Sequence, residues 1–135
     1  MIDELQTKFK NVMIIDDNMV DLFVSARVIT KYAFASKVFQ YSSAEEALVY
    51  LEDNQENIEL LPQIIFVDIY MPTMTGFEFM EAFEKLPLAL KNNCKAYIIS
   101  SSIDPRDISR ANNDKNIIGF HEKPMTKEFL ATILF

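Results

Sequence analysis

Five short apolar runs alternate with helical patterns along this chain of 135 residues, and this alternation constrains its fold more than any other feature. The run Val12-Met13-Ile14-Ile15 is apolar at every position, which is typical of a strand buried on both faces of a parallel sheet. Because a helical pattern follows each run, the sequence predicts an α/β fold with a doubly wound, five-stranded parallel sheet. The predicted strands are Asn11–Ile15, Lys37–Tyr41, Gln63–Val67, Ala96–Ile99 and Ile117–Phe120.

The five helical segments have recognisable beginnings. Ser43 starts one with the spacing of a capping box, and Asp104-Pro105 combines a good N-cap with proline at the first helical position. Apolar residues are so frequent from Met19 to Tyr32 that this segment predicts a largely buried helix. The other predicted helices run from Ser43 to about Asn54, over Phe77–Leu86, from Asp104 onward and over Thr126–Phe135, with an extended loop at Gln55–Leu61.

Composition limits the partners and the setting of the chain. Its formal net charge is −7 and it has no run of lysine or arginine, so it is a poor candidate for direct contact with nucleic acid. No apolar stretch approaches the ~20 residues that span a bilayer, and Met1–Leu5 lacks a basic segment followed by a long apolar one, so no secretory signal is expected. Cys94 is the single cysteine, so a reducing cytoplasm is the expected setting. Because the length fits one domain, we expect a single domain over residues 1–135 without an output domain.

Charged residues follow three of the predicted strands near the point where each strand ends. Asp16 and Asp17 come directly after the first strand, Asp68 after the third, and Lys123 shortly after the fifth. In open α/β sheets, ligands bind outside the carboxyl ends of the strands. Three carboxylates there suit a hard divalent cation, and an adjacent lysine suggests that the cation's companion is a phosphate. Without a metal the carboxylates repel, so at least one should have a pKa above the ~4 of free aspartate.

These residues belong to a longer pattern. Asp68 opens the segment Asp68-Ile69-Tyr70-Met71-Pro72, Gly76 follows four residues later, Ser100 places a hydroxyl at the end of the fourth strand, and Lys123 precedes a proline. In this order the pattern resembles the receiver domain of two-component response regulators, in the manner of single-domain chemotaxis and sporulation regulators, over essentially the whole chain. The resemblance implies the flavodoxin-like (βα)5 fold with strand order 2-1-3-4-5.

The resemblance also implies a role for each residue of the acidic site. Asp68 is the expected phosphoacceptor. Asp17 is expected to bind Mg²⁺ directly, Asp16 largely through water, and the backbone carbonyl of Tyr70 to supply a further ligand beside Asp68 itself. Aspartate is a competent nucleophile toward phosphorus, and Mg²⁺ with a lysine offsets the repulsion between that carboxylate and an anionic donor.

A second group of residues is expected to respond to the phosphoryl group. Lys123 would pair with it, through a chain in which the Lys123-Pro124 peptide bond is cis. Ser100 would donate a hydrogen bond to it and thereby vacate space for Phe120, the aromatic switch residue of the resemblance. The surface that changes is expected at about Asp104–Phe135.

The function implied is a phosphorylation-controlled switch that takes its phosphoryl group from a sensor histidine kinase or a phosphotransfer protein. It would signal by protein contact, as a monomer or a phosphorylation-dependent dimer, and would turn over no substrate. One alternative is a Mg²⁺-dependent phosphatase of the haloacid-dehalogenase kind, although that class needs a second acid where Tyr70 stands. The chain as a fragment of a larger regulator or hybrid kinase, and a scaffold independent of phosphorylation, are further alternatives.

Three residues keep two interpretations each. Ser101 competes with Ser100 as the switch hydroxyl, because three serines follow one another. Tyr70 either shields the acyl phosphate from water or serves a partner as an exposed loop aromatic. Phe120 is either a switch or a fixed core residue, whereas His121, with no second ligand near it in sequence, is expected to face solvent.

Overall fold

The computed structural model describes residues 6–134, and this range contains five strands and six α-helices. The strands are β1 (Phe9–Ile15), β2 (Ala35–Tyr41), β3 (Ile64–Val67), β4 (Lys95–Ser100) and β5 (Ile117–Glu122). The helices are α1 (Met19–Lys31), α2 (Ala44–Asp53), α3 (Gly76–Glu84), α4 (Leu88–Asn93), α5 (Pro105–Asn112) and α6 (Lys127–Ala131). None of these helices is long and apolar enough to cross a bilayer. The expectations about residues 1–5 and Phe135 lie outside the described range.

The strands form one parallel sheet in the order β2-β1-β3-β4-β5, which confirms the predicted topology. β1 and β3 lie inside the sheet and are almost entirely buried, because helices cover both of their faces. The order also places β1 directly beside β3, with Ile15 opposite Val67. The acidic residues that follow these two strands therefore emerge side by side.

Two separate apolar cores lie on the two faces of the sheet. On one face, side chains of α2 to α5 such as Leu51, Phe79 and Ala111 pack against Ile65 and Ile98. On the other face, α1 and α6 pack against the alternate strand residues, and this core contains Leu22, Ile29, Phe66, Tyr97 and Leu130. The fully buried phenylalanines each contribute roughly 1.5–3 kcal/mol relative to an exposed side chain.

The prediction of five helices in strict alternation was wrong in one place. After α3 ends at Glu84, the chain turns through Pro87 and forms the additional short helix α4 before it enters β4. Proline disfavours helical backbone at the preceding residue, which separates the two helices, and buried Leu90 then anchors α4 to the core. A 3-10 turn at Ile58–Leu60 likewise interrupts the predicted extended loop.

The prediction that α1 is largely buried was also wrong. Only the face with Leu22, Ser25, Ala26 and Ile29 is buried. The opposite face exposes Met19 (66%), Val20 (70%) and Phe23 (64%), with Val24 partly exposed, and we call these four residues the α1 patch. A helix lying on a sheet buries one side only, so an apolar residue count overestimates its burial. An exposed apolar patch of this kind is typical of a contact surface.

Candidate functional site

The sheet brings three carboxylates together at the carboxyl ends of β1 and β3. The Asp16 amide donates to the Tyr41 carbonyl at 3.0 Å and the Asp68 amide donates to the Ile15 carbonyl at 2.9 Å, so both residues extend the parallel hydrogen-bond ladder. One ligand oxygen from each of Asp16, Asp17 and Asp68 lies within 4.8 Å of the others. Asp16 and Asp68 are buried, whereas Asp17 is exposed.

The donor set of this cluster fits a hard divalent cation. All three ligands are carboxylate oxygens, which Mg²⁺ prefers, and the exposed side at Asp17 leaves room for the waters that Mg²⁺ usually retains. Asp16, Asp17 and Asp68 are the side chains that would hold the ion. A bound Mg²⁺ would neutralise charge on a transferring phosphoryl group.

Lys123 supplies the compensating positive charge. Its ammonium lies 2.7 Å from an Asp16 oxygen, 2.9 Å from an Asp21 oxygen and 3.5 Å from an Asp68 oxygen. Burial alone would lower the pKa of Lys123, but hydrogen bonds to Asp16 and Asp21 and the charge of Asp68 raise it to about 12. The lysine is therefore charged at any physiological pH.

The surroundings of Asp68 oppose its ionisation. Its desolvation on burial and the neighbouring charge of Asp16 raise the pKa of Asp68 to about 6, although Lys123 acts in the opposite direction. This agrees with the sequence argument that at least one clustered acid has a raised pKa. Near neutral pH the carboxylate is mostly ionised and remains a nucleophile.

The loop after Asp68 shows why the sequence places Gly76 eight residues later. The Gly76 amide donates to the Ile69 carbonyl at 2.8 Å, and a Cβ at position 76 would lie well inside van der Waals contact of the Asp68 carbonyl oxygen. Thr75 and Glu78 form a capping box that starts α3 at this point. The start of α3 thus packs directly on the backbone of the proposed phosphoacceptor.

Ser100 is the last residue of β4 and is fully buried, whereas Ser101 is exposed. The Ser100 carbonyl accepts a hydrogen bond from the Lys123 amide at 2.7 Å, so the ends of β4 and β5 are tied at the site. The hydroxyl oxygen of Ser100 accepts a hydrogen bond from the Ser102 amide at 3.2 Å.

Phe120 lies opposite Ile98 in the sheet register and is half-buried against the core on the α2 to α5 face. Because side chains alternate along a strand, Ser100 and Ile98 point to the same face. Phe120 therefore lies on the same face as Ser100, two residues away from it in the register. The Lys123-Pro124 peptide bond is cis, as the resemblance implies.

Tyr70 extends outward from the loop and joins it to α5. Its side chain is more than half exposed, and its hydroxyl donates a hydrogen bond to the Asp107 carboxylate. This hydrogen bond raises the pKa of Tyr70. Asp107 lies in the first turn of α5, the helix that begins the surface predicted to change. Neither interpretation of Tyr70 included such a link.

His121 does not face solvent as predicted. Its ring stacks on Phe129, with 3.9 Å between the centroids and 10° between the planes, and burial lowers the pKa of His121. The reason is that Phe129 of α6, eight residues further along the chain, packs back onto the ring, and the residues around His121 do not specify this turn of the chain.

Sequence reasoning missed two residues at the site. Asn18 caps α1 by accepting hydrogen bonds from the Val20 and Asp21 amides, and its own amide donates to Asp16 at 3.0 Å. Asp21 makes an ion pair with Lys123 across 102 residues of sequence. The helix cap could have been predicted, because an asparagine followed three residues later by an acid is a local signal for the start of a helix. No local signal indicates that Asp21 pairs with Lys123.

The raised pKa of Asp68 predicts a pH-dependent stability. Since this pKa is about 6 in the folded protein and about 4 in the unfolded chain, the folded state binds more protons between those values. The contribution of Asp68 to the free energy of unfolding should therefore fall as the pH rises from about 4 to 6. The loss should be about 1–2 kcal/mol, below the roughly 3 kcal/mol of an unscreened shift of this size.

Urea unfolding in EDTA across this pH range measures the effect. Asp68→Asn should remove most of this loss, while Asp53→Asn, a substitution of an exposed aspartate in α2, should retain it. Equal pH profiles for the native protein and Asp68→Asn would contradict the raised pKa.

The hydrogen bond from Tyr70 to Asp107 predicts a measurable effect on α5. Tyr70→Phe removes the hydroxyl and keeps the ring, so amide hydrogen exchange in the first turn of α5 should become faster, because the hydrogen bond to Asp107 is lost. Tyr32→Phe, an exposed tyrosine at the end of α1, is the control and should leave α5 unchanged. Unchanged exchange in Tyr70→Phe would show that the link does not hold α5.

Comparisons with known proteins agree on one family. The family described as "Response regulator receiver domain" matches residues 12–135. The sequence is 31% identical over 105 residues to "Two-component response regulator ORR1" of Oryza sativa subsp. japonica, an alignment that covers 76% of this chain and 44% of the rice protein. It is 30% identical over 127 residues to "Hybrid signal transduction histidine kinase C" of Dictyostelium discoideum, covering 91% of this chain and 10% of that kinase.

Solved structures give the same result. A two-component response regulator from Cytophaga hutchinsonii superimposes with a TM-score of 0.85 at 26% identity, with 93% of each chain covered. The chain thus spans less than half the length of the two curated relatives, while it matches this solved structure nearly end to end. The chain belongs to the response regulator receiver domain family of two-component signalling.

Proposed function

We propose that this receiver domain is a Mg²⁺-dependent switch that accepts a phosphoryl group on Asp68 and signals through protein contacts. The observation that carries the proposal is the convergence of Asp16, Asp17 and Asp68 within 4.8 Å, with the ammonium of Lys123 beside them. A nucleophilic carboxylate, two further metal ligands and a fixed cation are the parts that phosphoryl transfer to aspartate requires.

The proposed reaction is a simple exchange of bonds at phosphorus. An oxygen of Asp68 forms a bond to the phosphorus of a phosphohistidine while the P–N bond breaks. The donor imidazole leaves with the electron pair of that bond and regains a proton from solvent. Lys123, 3.5 Å from an Asp68 oxygen, is placed to pair with the phosphoryl oxygens. A Mg²⁺ ion held by the three carboxylates would supply further charge neutralisation.

The response is proposed to pass through Ser100 and Phe120. Ser100 is buried, ends β4 beside the site and shares a sheet face with half-buried Phe120, which supports it over exposed Ser101 as the switch hydroxyl. When Ser100 turns toward the phosphoryl group, Phe120 gains room to rotate inward. The changed surface would be α5, β5 and α6, within residues 104–134.

The donor of the phosphoryl group is proposed to bind the α1 patch. Met19, the first residue of the patch, lies two residues after Asp17 in the chain. A histidine kinase or phosphotransfer protein bound to this exposed apolar surface would bring its phosphohistidine to the mouth of the acidic site. The kinship with a hybrid histidine kinase is consistent with such a donor.

A switch fits the site better than a turnover enzyme. The phosphatase alternative needs a second acid two residues after its nucleophile, and that position holds Tyr70, whose hydroxyl is bonded to Asp107. The proposed setting is the cytoplasm, as expected from Cys94, which is buried as a free thiol. We propose that the domain acts on a downstream protein, either as a monomer or as a dimer that forms on phosphorylation.

Incubation with acetyl phosphate and Mg²⁺ tests the proposal directly. The intact protein should gain the mass of one phosphoryl group, and the gain should disappear in EDTA, because the carboxylates then lack the cation that screens them. Asp68→Asn should not be modified, whereas Asp53→Asn should be modified like the native protein. A phosphorylated Asp68→Asn protein, or undiminished modification in EDTA, would refute the proposal.

The α1 patch predicts a difference between protein and small-molecule donors. For a phosphohistidine protein that modifies the native chain, Phe23→Ser should make phosphoryl transfer about tenfold slower. This is the effect of losing one exposed apolar anchor. Its modification by acetyl phosphate should be unchanged. Val49→Ser, which alters an exposed apolar residue on α2, is the matched control. This assignment of the patch would be contradicted if Phe23→Ser slowed modification by the protein donor and by acetyl phosphate equally, or slowed neither.

A further inference from the structure

Asp21 is a fourth carboxylate at the site, and it lies outside the cluster that fits the cation. It is in the first turn of α1, and its oxygen is 2.9 Å from the ammonium of Lys123. The three-carboxylate cluster consists of Asp16, Asp17 and Asp68. Lys123 thus divides its hydrogen bonds and ion pairs between residues that would bind the metal and a residue that would not.

Asp21 is more exposed to solvent than Asp16 and Lys123, so it can release Lys123 more easily than Asp16 can. The side chain of Asp21 is 36% exposed, while those of Lys123 and Asp16 are 11% and 5% exposed. Water can therefore replace the lysine at Asp21 at lower cost than at buried Asp16. The first turn of a helix also stabilises a carboxylate without help from a cation.

Lys123 faces competing demands from the carboxylates around it. Its ammonium has three N–H donors, and at 2.7 Å and 3.5 Å it occupies space around Asp16 and Asp68 that a cation would need. An anionic partner outside the cluster draws the ammonium toward α1 and leaves the oxygens of these two acids more available. The same partner opposes movement of the ammonium toward Asp68.

We propose that Asp21 is a positioning residue that holds Lys123 at the edge of the acidic cluster until Asp68 is phosphorylated. This proposal rests on the proposed function of the site. In the unmodified protein, Asp21 keeps the lysine from acting as a substitute for the cation. Once Asp68 carries phosphoryl oxygens, Lys123 transfers to them and the Asp21 carboxylate becomes solvated. Phosphorylation thereby changes the contacts of α1, the helix that carries the α1 patch.

The proposal makes two predictions for Asp21→Asn, which keeps the size of the side chain and removes its charge. The dissociation constant for Mg²⁺ should rise severalfold, because Lys123 now pairs only with Asp16 and Asp68. At saturating Mg²⁺, the affinity for beryllofluoride, a mimic of the phosphoryl group, should rise severalfold, because Asp21 no longer competes with it for Lys123. Isothermal titration calorimetry measures both constants without any phosphoryl transfer.

Loss of a nearby negative charge would shift both constants in these same directions, so a double-mutant cycle with Lys123→Met is the decisive measurement. If Asp21 acts through the lysine, Asp21→Asn should change neither constant severalfold in the Lys123→Met background. Equal changes in both backgrounds would reduce Asp21 to a general contributor of charge and overturn the proposal. No change in the native background would also overturn it.

Three further variants complete the design. Glu128→Gln neutralises a first-turn acid of α6 and serves as the control for net charge, while Asp21→Glu should restore much of the native behaviour. Lys123→Gln replaces Lys123→Met if the latter does not fold. Because the Mg²⁺ titration uses unmodified protein, its result stands apart from the acetyl phosphate test of Asp68, so the two proposals can fail separately.

Discussion

The structure depends on the attraction between the ammonium of Lys123 and the carboxylates around it. This attraction offsets the repulsion between acids that the sheet brings together. Neighbouring parallel strands end at the same edge, so residues that follow β1 and β3 cannot avoid one another. Burial of Asp16 and Asp68 strengthens their repulsion, and the pKa of Asp68 is raised to about 6 even with Lys123 present. Repulsion between the carboxylates therefore remains in the folded protein, and binding of a divalent cation or a proton reduces it. For this reason the site responds to ligands.

Much of the fold and most of the acidic site could be predicted from the sequence, because both depend on local patterns. A strand buried on both faces must be a short apolar run, and the charged residue that ends the run then has to lie at the edge of the sheet. Gly76 was recognisable as part of the motif, but only the structure gives the reason, which is the close approach of α3 to the Asp68 carbonyl.

What the sequence did not predict depends on contacts between distant segments. Asp21 and Lys123 are 102 residues apart, and the Tyr70 hydroxyl meets Asp107 across 37 residues. His121 was assigned to solvent for another reason: Phe129 is only eight residues away, but the sequence pattern does not show that α6 turns back and places its ring on the histidine. The exposure of the α1 patch has a different cause: hydrophobic count measures composition, whereas burial depends on which side of the helix meets the sheet.

The contacts of the acidic site reach both layers of helices. Lys123 reaches Asp21 of α1 on one face of the sheet, while the loop that carries Asp68 reaches Asp107 of α5, on the other face, through Tyr70. The Lys123 amide is bonded to the Ser100 carbonyl at 2.7 Å, so its backbone is held and the long side chain is the part free to exchange partners. Binding and modification are linked reciprocally whenever they share such an element. If Asp68 is phosphorylated and Lys123 then leaves Asp21, as proposed, a protein that binds α1 and favours this release must stabilise the phosphorylated form, by the same factor with which phosphorylation strengthens its binding.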